Sequence, residues 1–250
     1  MTASARPWLP DPAAPLPAPE VPTVVDAIAA QAAAAPEGVA VVAGERRWSY
    51  RALTDTARSI AQALLSSGTR PGDVVAVTGA RSFGLVAAML GVLWARAVLM
   101  PIDPDLPEAR RRLLFTEARA RCCLRVGEGA APAPPGCPAI EVDPEPEALD
   151  AAPPALPGPS PEDNAYVFFT SGTTGVPKAV LGVHRALGHF TSWQARRFRI
   201  GPGDRIAQLT GLSFDVVLRD VFTPLSAGAA LVLPQRGDAL PTRVLGLLAR

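Results

Sequence analysis

The most informative segment of the chain runs from Tyr166 to Val180 and reads Tyr-Val-Phe-Phe-Thr-Ser-Gly-Thr-Thr-Gly-Val-Pro-Lys-Ala-Val. Apolar runs at 166–169 and 179–183 flank a loop of hydroxyl side chains, glycines and one lysine, which predicts two strands joined by a loop. Glycines let successive backbone N–H groups face one point, hydroxyls add donors, and Lys178 adds a positive charge. The loop therefore suits phosphate oxygens.

A Walker loop and a flexible surface hairpin are the two other interpretations of this segment. A Walker loop requires four residues between its glycines and then Gly-Lys-Ser/Thr before a helix. Here Pro177 precedes the lysine and an apolar run follows it, so that motif is excluded. A flexible surface hairpin that is merely rich in glycine and threonine remains the alternative on composition alone.

The sequence on both sides of the loop alternates helices with short apolar strands. Two predicted helices begin near Val24 and directly after Ser49, which caps the second one. Further helices are predicted over 82–94, 107–119, 184–198, 214–225 and 241–249. The predicted strands cover 39–42, 45–48, 74–77, 97–101, 122–126, 139–142, 205–208 and 229–233. This alternation predicts an α/β fold with mostly parallel sheets covered by helices.

Proline content divides the chain. Residues 1–21 form a proline- and alanine-rich lead-in that is predicted to be extended, and 22–250 form one α/β region. A proline-rich insertion at 130–163 is expected at the rim of that region rather than as a linker between domains. Pro-Gly-Asp turns at 71–73 and 202–204 each precede a strand, which hints at an internal duplication.

Composition excludes several functional classes. Apolar residues make up 48% of the chain and charged residues 19%, and the formal net charge is +1. Neither nucleic acid nor an anionic membrane is therefore the expected partner. The N-terminus lacks the apolar core of a signal peptide, and no run approaches the roughly 20 apolar residues of a membrane span. Cys122, Cys123 and Cys137 form neither a disulfide framework nor a zinc pattern, so a cytoplasmic protein is expected.

The segment from Tyr166 to Val180 resembles the phosphate-loop signature of adenylate-forming enzymes. This superfamily includes acyl-CoA synthetases, luciferases and the amino-acid adenylation domains of nonribosomal peptide synthetases. The family pattern is Tyr-x-x-x-Thr-Ser-Gly-Ser/Thr-Thr-Gly-x-Pro-Lys-Gly-Val, and the chain departs from it at Ala179. Two further family motifs are recognisable at Trp48–Leu53 and, in degenerate form, at Leu93–Pro104.

The segment Leu212-Ser213-Phe214-Asp215 is similar to the Phe-Asp-x-Ser region of amino-acid-activating members. The resemblance implies that Asp215, beside Phe214, binds the α-ammonium group of the substrate. An acid among apolar neighbours is costly unless it is paired with a cation, which fits that role. The alternatives are a carboxylate favoured by a helix N-terminus, or an ion-pair partner for Arg219 four positions later.

The resemblance implies an ATP- and Mg²⁺-dependent ligase that loads an amino acid onto the phosphopantetheine of a carrier protein. The residues implied to contact the ATP phosphates are Thr170, Ser171, Gly172, Thr173, Thr174, Gly175 and Lys178. His184 stands where the family commonly has a histidine. The alternatives are an acyl- or aryl-CoA ligase relative, or a non-catalytic remnant serving as an interaction module.

The resemblance covers the chain from about Pro22 onward and corresponds to the N-terminal part of an adenylation domain. The family's adenine-binding, ribose-binding and C-terminal lysine elements are not found in the 250 residues. We therefore expect no catalytic lysine of that kind here, weak ATP binding and little adenylation by the chain alone. The missing half is expected to act in trans if it is a separate polypeptide.

Overall fold

The structure is a computed structural model and describes residues 21–147, 149, 151–170 and 177–234. The helices are α1 (Val24–Ala34), α2 (Tyr50–Ser66), α3 (Phe83–Trp94), α4 (Glu108–Ala118), α5 (His184–Phe198) and α6 (Val216–Ser226). The strands are β1 (Val39–Ala43), β2 (Arg46–Ser49), β3 (Val74–Gly79), β4 (Val98–Ile102), β5 (Cys122–Val126), β6 (Ala139–Val142), β7 (Asn164–Thr170), β8 (Lys178–Val183), β9 (Arg205–Ala207) and β10 (Ala230–Val232). The residues 1–20 and the predicted helix at 241–249 lie outside the described ranges.

The strands form two sheets. One has six strands in the order β6-β5-β3-β4-β7-β8, all parallel except β8, which is antiparallel to β7. The other has four strands in the order β2-β1-β10-β9, and only β2 runs antiparallel to its neighbour. The predicted α/β fold with mostly parallel sheets is confirmed.

Helix α3 lies between the two sheets. It contacts β3, β4 and β5 of the larger sheet and β1 of the smaller one, and every one of its residues is buried. Its sequence is apolar all round, which is typical of a helix with no solvent-facing side. Gly91 brings it close to α2, because a Cβ there would lie 2.8 Å from the carbonyl oxygen of Ala57.

Helix α4 covers the opposite face of the larger sheet. Leu114 and Phe115 are its buried residues, and they pack against a cluster that includes Met100, Cys123 and Val167. Its exposed positions are mostly polar and include Glu108, Arg112 and Glu117. The sheet is thus covered on both faces, as parallel sheets require.

One supersecondary unit occurs in both sheets. The unit β3–α3–β4 begins at the turn Pro71-Gly72-Asp73, and β9–α6–β10 begins at Pro202-Gly203-Asp204. In each turn the aspartate carboxylate accepts a hydrogen bond from the backbone N–H three residues earlier, 2.8 Å from Arg70 and 2.9 Å from Gly201. Both glycines have positive φ, 87° and 94°. The repeated turn therefore marks a repeated structural unit.

The predicted insertion at 130–163 supplies β6 at the edge of the larger sheet. Its assignment as an insertion within one domain, and the boundary at residue 21, remain predictions. Cys122 and Cys123 are buried, Cys137 is half-buried, and all three are free thiols. No helix in the described part of the chain is long and apolar enough to cross a membrane.

Candidate functional site

The β7–β8 hairpin carries the ends of the predicted phosphate loop. Thr170 and Lys178 are register partners where the two strands end, and both side chains are exposed. Opposite residues of an antiparallel pair present their side chains on the same face. The structure therefore brings these two predicted residues together. The other five predicted phosphate contacts lie outside the described residues: Ser171, Gly172, Thr173, Thr174 and Gly175.

The same face of the hairpin leads to a second group of predicted residues. Strand residues two apart share a face, so Tyr166 lies on the face of Thr170. The four-residue separation corresponds to roughly 13 Å along the strand. That length suits an amino acid and a phosphate chain placed end to end.

The ring of Tyr166 lies over a glycine on the neighbouring strand. Its register partner is Gly182, where a Cβ would lie 2.1 Å from Cζ of the tyrosine ring. Only a residue without a side chain leaves room for the ring at this position. Burial, and secondarily the negative charge of Asp215, raise the pKa of Tyr166, so the phenol remains protonated at neutral pH.

Tyr166 and Asp215 line one cavity of about 310 Å³ between β7, α5 and α6. The remaining lining residues are Ala186, Leu187, Phe190, Val216, Leu218 and Arg219. The sequence placed Asp215 and Phe214 at a substrate site. Only Asp215 lines this cavity, whereas the Phe214 side chain is 65% exposed and is absent from the lining.

Asp215 borders a mostly apolar cavity, but it is not enclosed by the apolar residues that surround it in the sequence. Asp215 is exposed at the N-cap of α6, where the chain has just left a loop. Its carboxylate makes no capping hydrogen bond, and within the described ranges it forms no ion pair with Arg219. The helix N-terminal position of the first alternative is therefore observed, whereas the ion pair with Arg219 is not, and the carboxylate remains open to a ligand in the cavity.

Aromatic residues on a helix are core by default, but two aromatic residues of α5 are exposed in this structure. Phe190 is 41% exposed and Trp193 is 47% exposed, with their rings 5.7 Å apart. Phe190 lines the cavity, so part of its surface faces the candidate site. A helical apolar pattern indicates an apolar face but does not state what covers it.

Three residues of the cavity were missed as site residues: Tyr166, Phe190 and Arg219. Tyr166 could have been found from strand alternation, because it lies four residues before Thr170 and therefore on the same face of the strand. Arg219 could have been found from helical spacing, because it follows Asp215 by four positions.

His184 is buried at the start of α5 and does not line the cavity. Within the described structure neither ring nitrogen has a hydrogen-bond partner. Burial lowers the pKa of the imidazole to about 4, so the ring is neutral at physiological pH. His184 is thus a buried neutral group, while His189 is exposed on the same helix.

The candidate site contains no preformed metal cluster among the residues that can be described. No group of three or more His, Cys, Asp or Glu side chains there could hold a metal ion.

The fold and site define a class of α/β protein in which an edge hairpin with a glycine- and hydroxyl-rich loop adjoins a carboxylate-bearing cavity. The chain belongs to the AMP-binding enzyme family, whose pattern matches residues 28–250. It is 40% identical over 237 residues to isonitrile lipopeptide synthase of Streptomyces coeruleorubidus, covering 94% of this chain. The predicted relation to adenylation domains of nonribosomal peptide synthetases is thereby confirmed at the level of the family.

Solved structures agree with this assignment. The nonribosomal peptide synthetase FmoA3 with AMPPNP bound matches 89% of the chain with a TM-score of 0.77 and 33% identity. A second such protein, containing adenylation and PCP domains, matches 92% with a TM-score of 0.77 and 28% identity. The chain spans 23% and 39% of these two chains and 16% of the lipopeptide synthase.

Proposed function

We propose that this protein uses ATP to activate the carboxylate of an amino acid as an aminoacyl-AMP. The acyl group then passes to the phosphopantetheine thiol of a carrier protein. Support comes from membership of the AMP-binding family and from similarity to peptide synthetases, one of which contains both adenylation and PCP domains.

The single observation that carries the proposal is the shared face of the β7–β8 hairpin. Thr170 and Lys178 lie at one end of this face, and Tyr166 lies at the other, within the cavity of Asp215. An amino acid with its ammonium group at Asp215 can direct its carboxylate along this face toward the loop.

The chemistry needs charge stabilisation more than proton transfer. A carboxylate oxygen of the substrate forms a bond to the α-phosphorus while the bond to the bridging oxygen breaks. Pyrophosphate leaves with the electron pair. Lys178 and the N–H and hydroxyl donors of its loop would hold the phosphate oxygens on which negative charge accumulates. Mg²⁺ bound with ATP would supply further positive charge there.

Carrier-protein loading completes the proposed sequence. The thiolate attacks the activated carbonyl carbon, a thioester forms, and AMP leaves with the electrons of the broken acyl–oxygen bond. Adenine and ribose contacts would come from sequence outside these 250 residues, in the same polypeptide or from a second one in trans.

Pyrophosphate exchange tests the proposal. With the C-terminal half of the domain supplied, in the same polypeptide or in trans, amino-acid-dependent exchange of labelled pyrophosphate into ATP is expected, and Asp215→Ala should reduce it by raising the KM for the amino acid. A matched panel of amino acids and their desamino analogues provides the comparison. Equal use of desamino acids, or exchange unaffected by Asp215→Ala, would instead favour an acyl-CoA ligase type of enzyme.

A further inference from the structure

The cavity beside the hairpin contains two opposite charges. Asp215 and Arg219 both line it, and Tyr166 adds a protonated phenol. The rest of the wall is apolar: Ala186, Leu187, Phe190, Val216 and Leu218. Such a wall fits a ligand that carries an ammonium group and a separate anionic group on a short hydrocarbon frame.

The spacing of the two charges matches one small ligand. Asp215 occupies the N-cap of α6 and Arg219 follows it by four positions, so their Cβ atoms are neighbours at roughly 6 Å. An amino acid whose ammonium group lies at Asp215 can reach Arg219 with an anionic group at the end of a short side chain. A larger separation between Asp215 and Arg219 would require a longer or more flexible ligand.

The guanidinium of Arg219 is not committed to a strong internal ion pair. Within the described ranges its nearest carboxylate is that of Asp220, with Nε 3.7 Å from Oδ1. That carboxylate already accepts hydrogen bonds from the backbone N–H and the hydroxyl of Thr210, at 3.1 and 2.6 Å. The Arg219 side chain is 42% exposed, so its N–H groups can reach a ligand.

We propose that the cavity selects an amino acid with a negatively charged side chain, and that Arg219 binds that charge. The inference rests on the proposed function, because it assigns the substrate's ammonium group to Asp215 and its α-carboxylate to the hairpin loop. The side chain is then the only part of the substrate left to face Arg219. Guanidinium binds carboxylates through two parallel hydrogen bonds, which an amide or a methyl group cannot reproduce.

The expected selectivity is large enough to measure. Losing charge-assisted hydrogen bonds lowers affinity by roughly 10- to 100-fold. Glutamate or aspartate should therefore exceed glutamine or asparagine by that factor in kcat/KM for pyrophosphate exchange. Direct binding measured by ligand-observed NMR on the 250-residue chain should give the same order of preference.

A charge reversal gives the sharper test. Arg219→Glu should move the preference from acidic amino acids to lysine or ornithine, while Arg219→Gln should abolish discrimination between glutamate and glutamine. Arg197→Glu is the matched control, because this exposed arginine of α5 lies outside the cavity. It should retain the wild-type order.

The outcomes separate this inference from the proposed function. Exchange that prefers a neutral amino acid, or an order unchanged by both Arg219 variants, would overturn the role of Arg219 and leave amino-acid activation standing. Binding or exchange that ignores the amino group altogether would overturn the proposed function itself. If Arg219→Glu does not fold by circular dichroism, Arg219→Gln decides the question.

Discussion

Acidification should destabilise the fold through His184 in a defined pH window. The ring is fully buried and its nitrogens lack partners within the described residues. Burial lowers the pKa of this imidazole from 6.5 to about 4 and is the largest cause. The charges of Asp163 and Asp26 act in the opposite direction, and that of Arg96 acts in the same direction as burial.

The sign and size of the effect follow from proton linkage. Above pH 6.5 the His184 imidazole is neutral in both the folded and the unfolded state. Between pH 6.5 and 4 the unfolded chain binds a proton that the folded chain does not, so stability falls as pH falls. The shift corresponds to about 3 kcal/mol in total, at up to about 1.4 kcal/mol per pH unit.

Urea unfolding at pH 7.0, 5.5 and 4.5 measures this loss directly. His184→Leu removes the titrating group, and between pH 7.0 and 4.5 its unfolding free energy should change by about 2.4 kcal/mol less than that of the wild type. The exposed His189 is the other histidine of the chain, and His189→Gln is the matched control. Parallel pH dependence for the wild type and His184→Leu would refute the linkage.

Three further substitutions test the packing around the site. Gly91→Ala places a Cβ 2.8 Å from the carbonyl oxygen of Ala57, so urea unfolding should show a loss of roughly 1–3 kcal/mol. Trp48→Ala removes an 8%-exposed indole that stacks on an aromatic ring of α3 with centroids 4.8 Å apart, and should cost roughly 3–5 kcal/mol in the same assay. Gly182→Ala places a Cβ 2.1 Å from Cζ of Tyr166 and displaces the tyrosine ring. It should weaken amino-acid binding in NMR titrations, with little change in the melting temperature. A stable Gly91→Ala, a tolerated Trp48→Ala or unchanged binding by Gly182→Ala would each contradict the corresponding contact.

Local features of the fold were predictable because they depend on neighbouring residues. Ser49 was predicted to cap a helix, and its hydroxyl accepts a hydrogen bond from the N–H of Ala52 at the start of α2. The two Pro-Gly-Asp turns were likewise predicted from residue types that favour one turn geometry. In each case the side chain that fixes the geometry lies within four residues of the backbone it contacts.

Long-range pairing was not predictable from the same patterns. β1 pairs with β10, so Val41 lies beside Leu231, yet both runs are simply short and apolar in the sequence. An apolar run carries no information about which distant strand it joins. The exposure of Asp215 was missed for the same reason, since apolar neighbours in sequence point to the core while the carboxylate points outward.

The candidate site was predictable to the extent that it is a linear motif. Thr170 and Lys178 come from one loop and were found together. The cavity joins residues from β7, α5 and α6, so Tyr166 and Arg219 became site residues only when the fold placed them beside Asp215. Spacing in the sequence alone indicates only that Tyr166 is a strand residue and that Arg219 could pair with Asp215.

Protection of Lys178 by ATP tests the central claim most directly. Lys178 is the only lysine in the 250 residues, so acetylation of its ammonium group can be followed by peptide mass spectrometry without a competing lysine. The account predicts that ATP with Mg²⁺ slows modification of Lys178, whereas AMP with Mg²⁺ protects it less because it lacks the outer phosphates. Equal modification without ATP and with saturating ATP would show that this hairpin does not bind the nucleotide's phosphates.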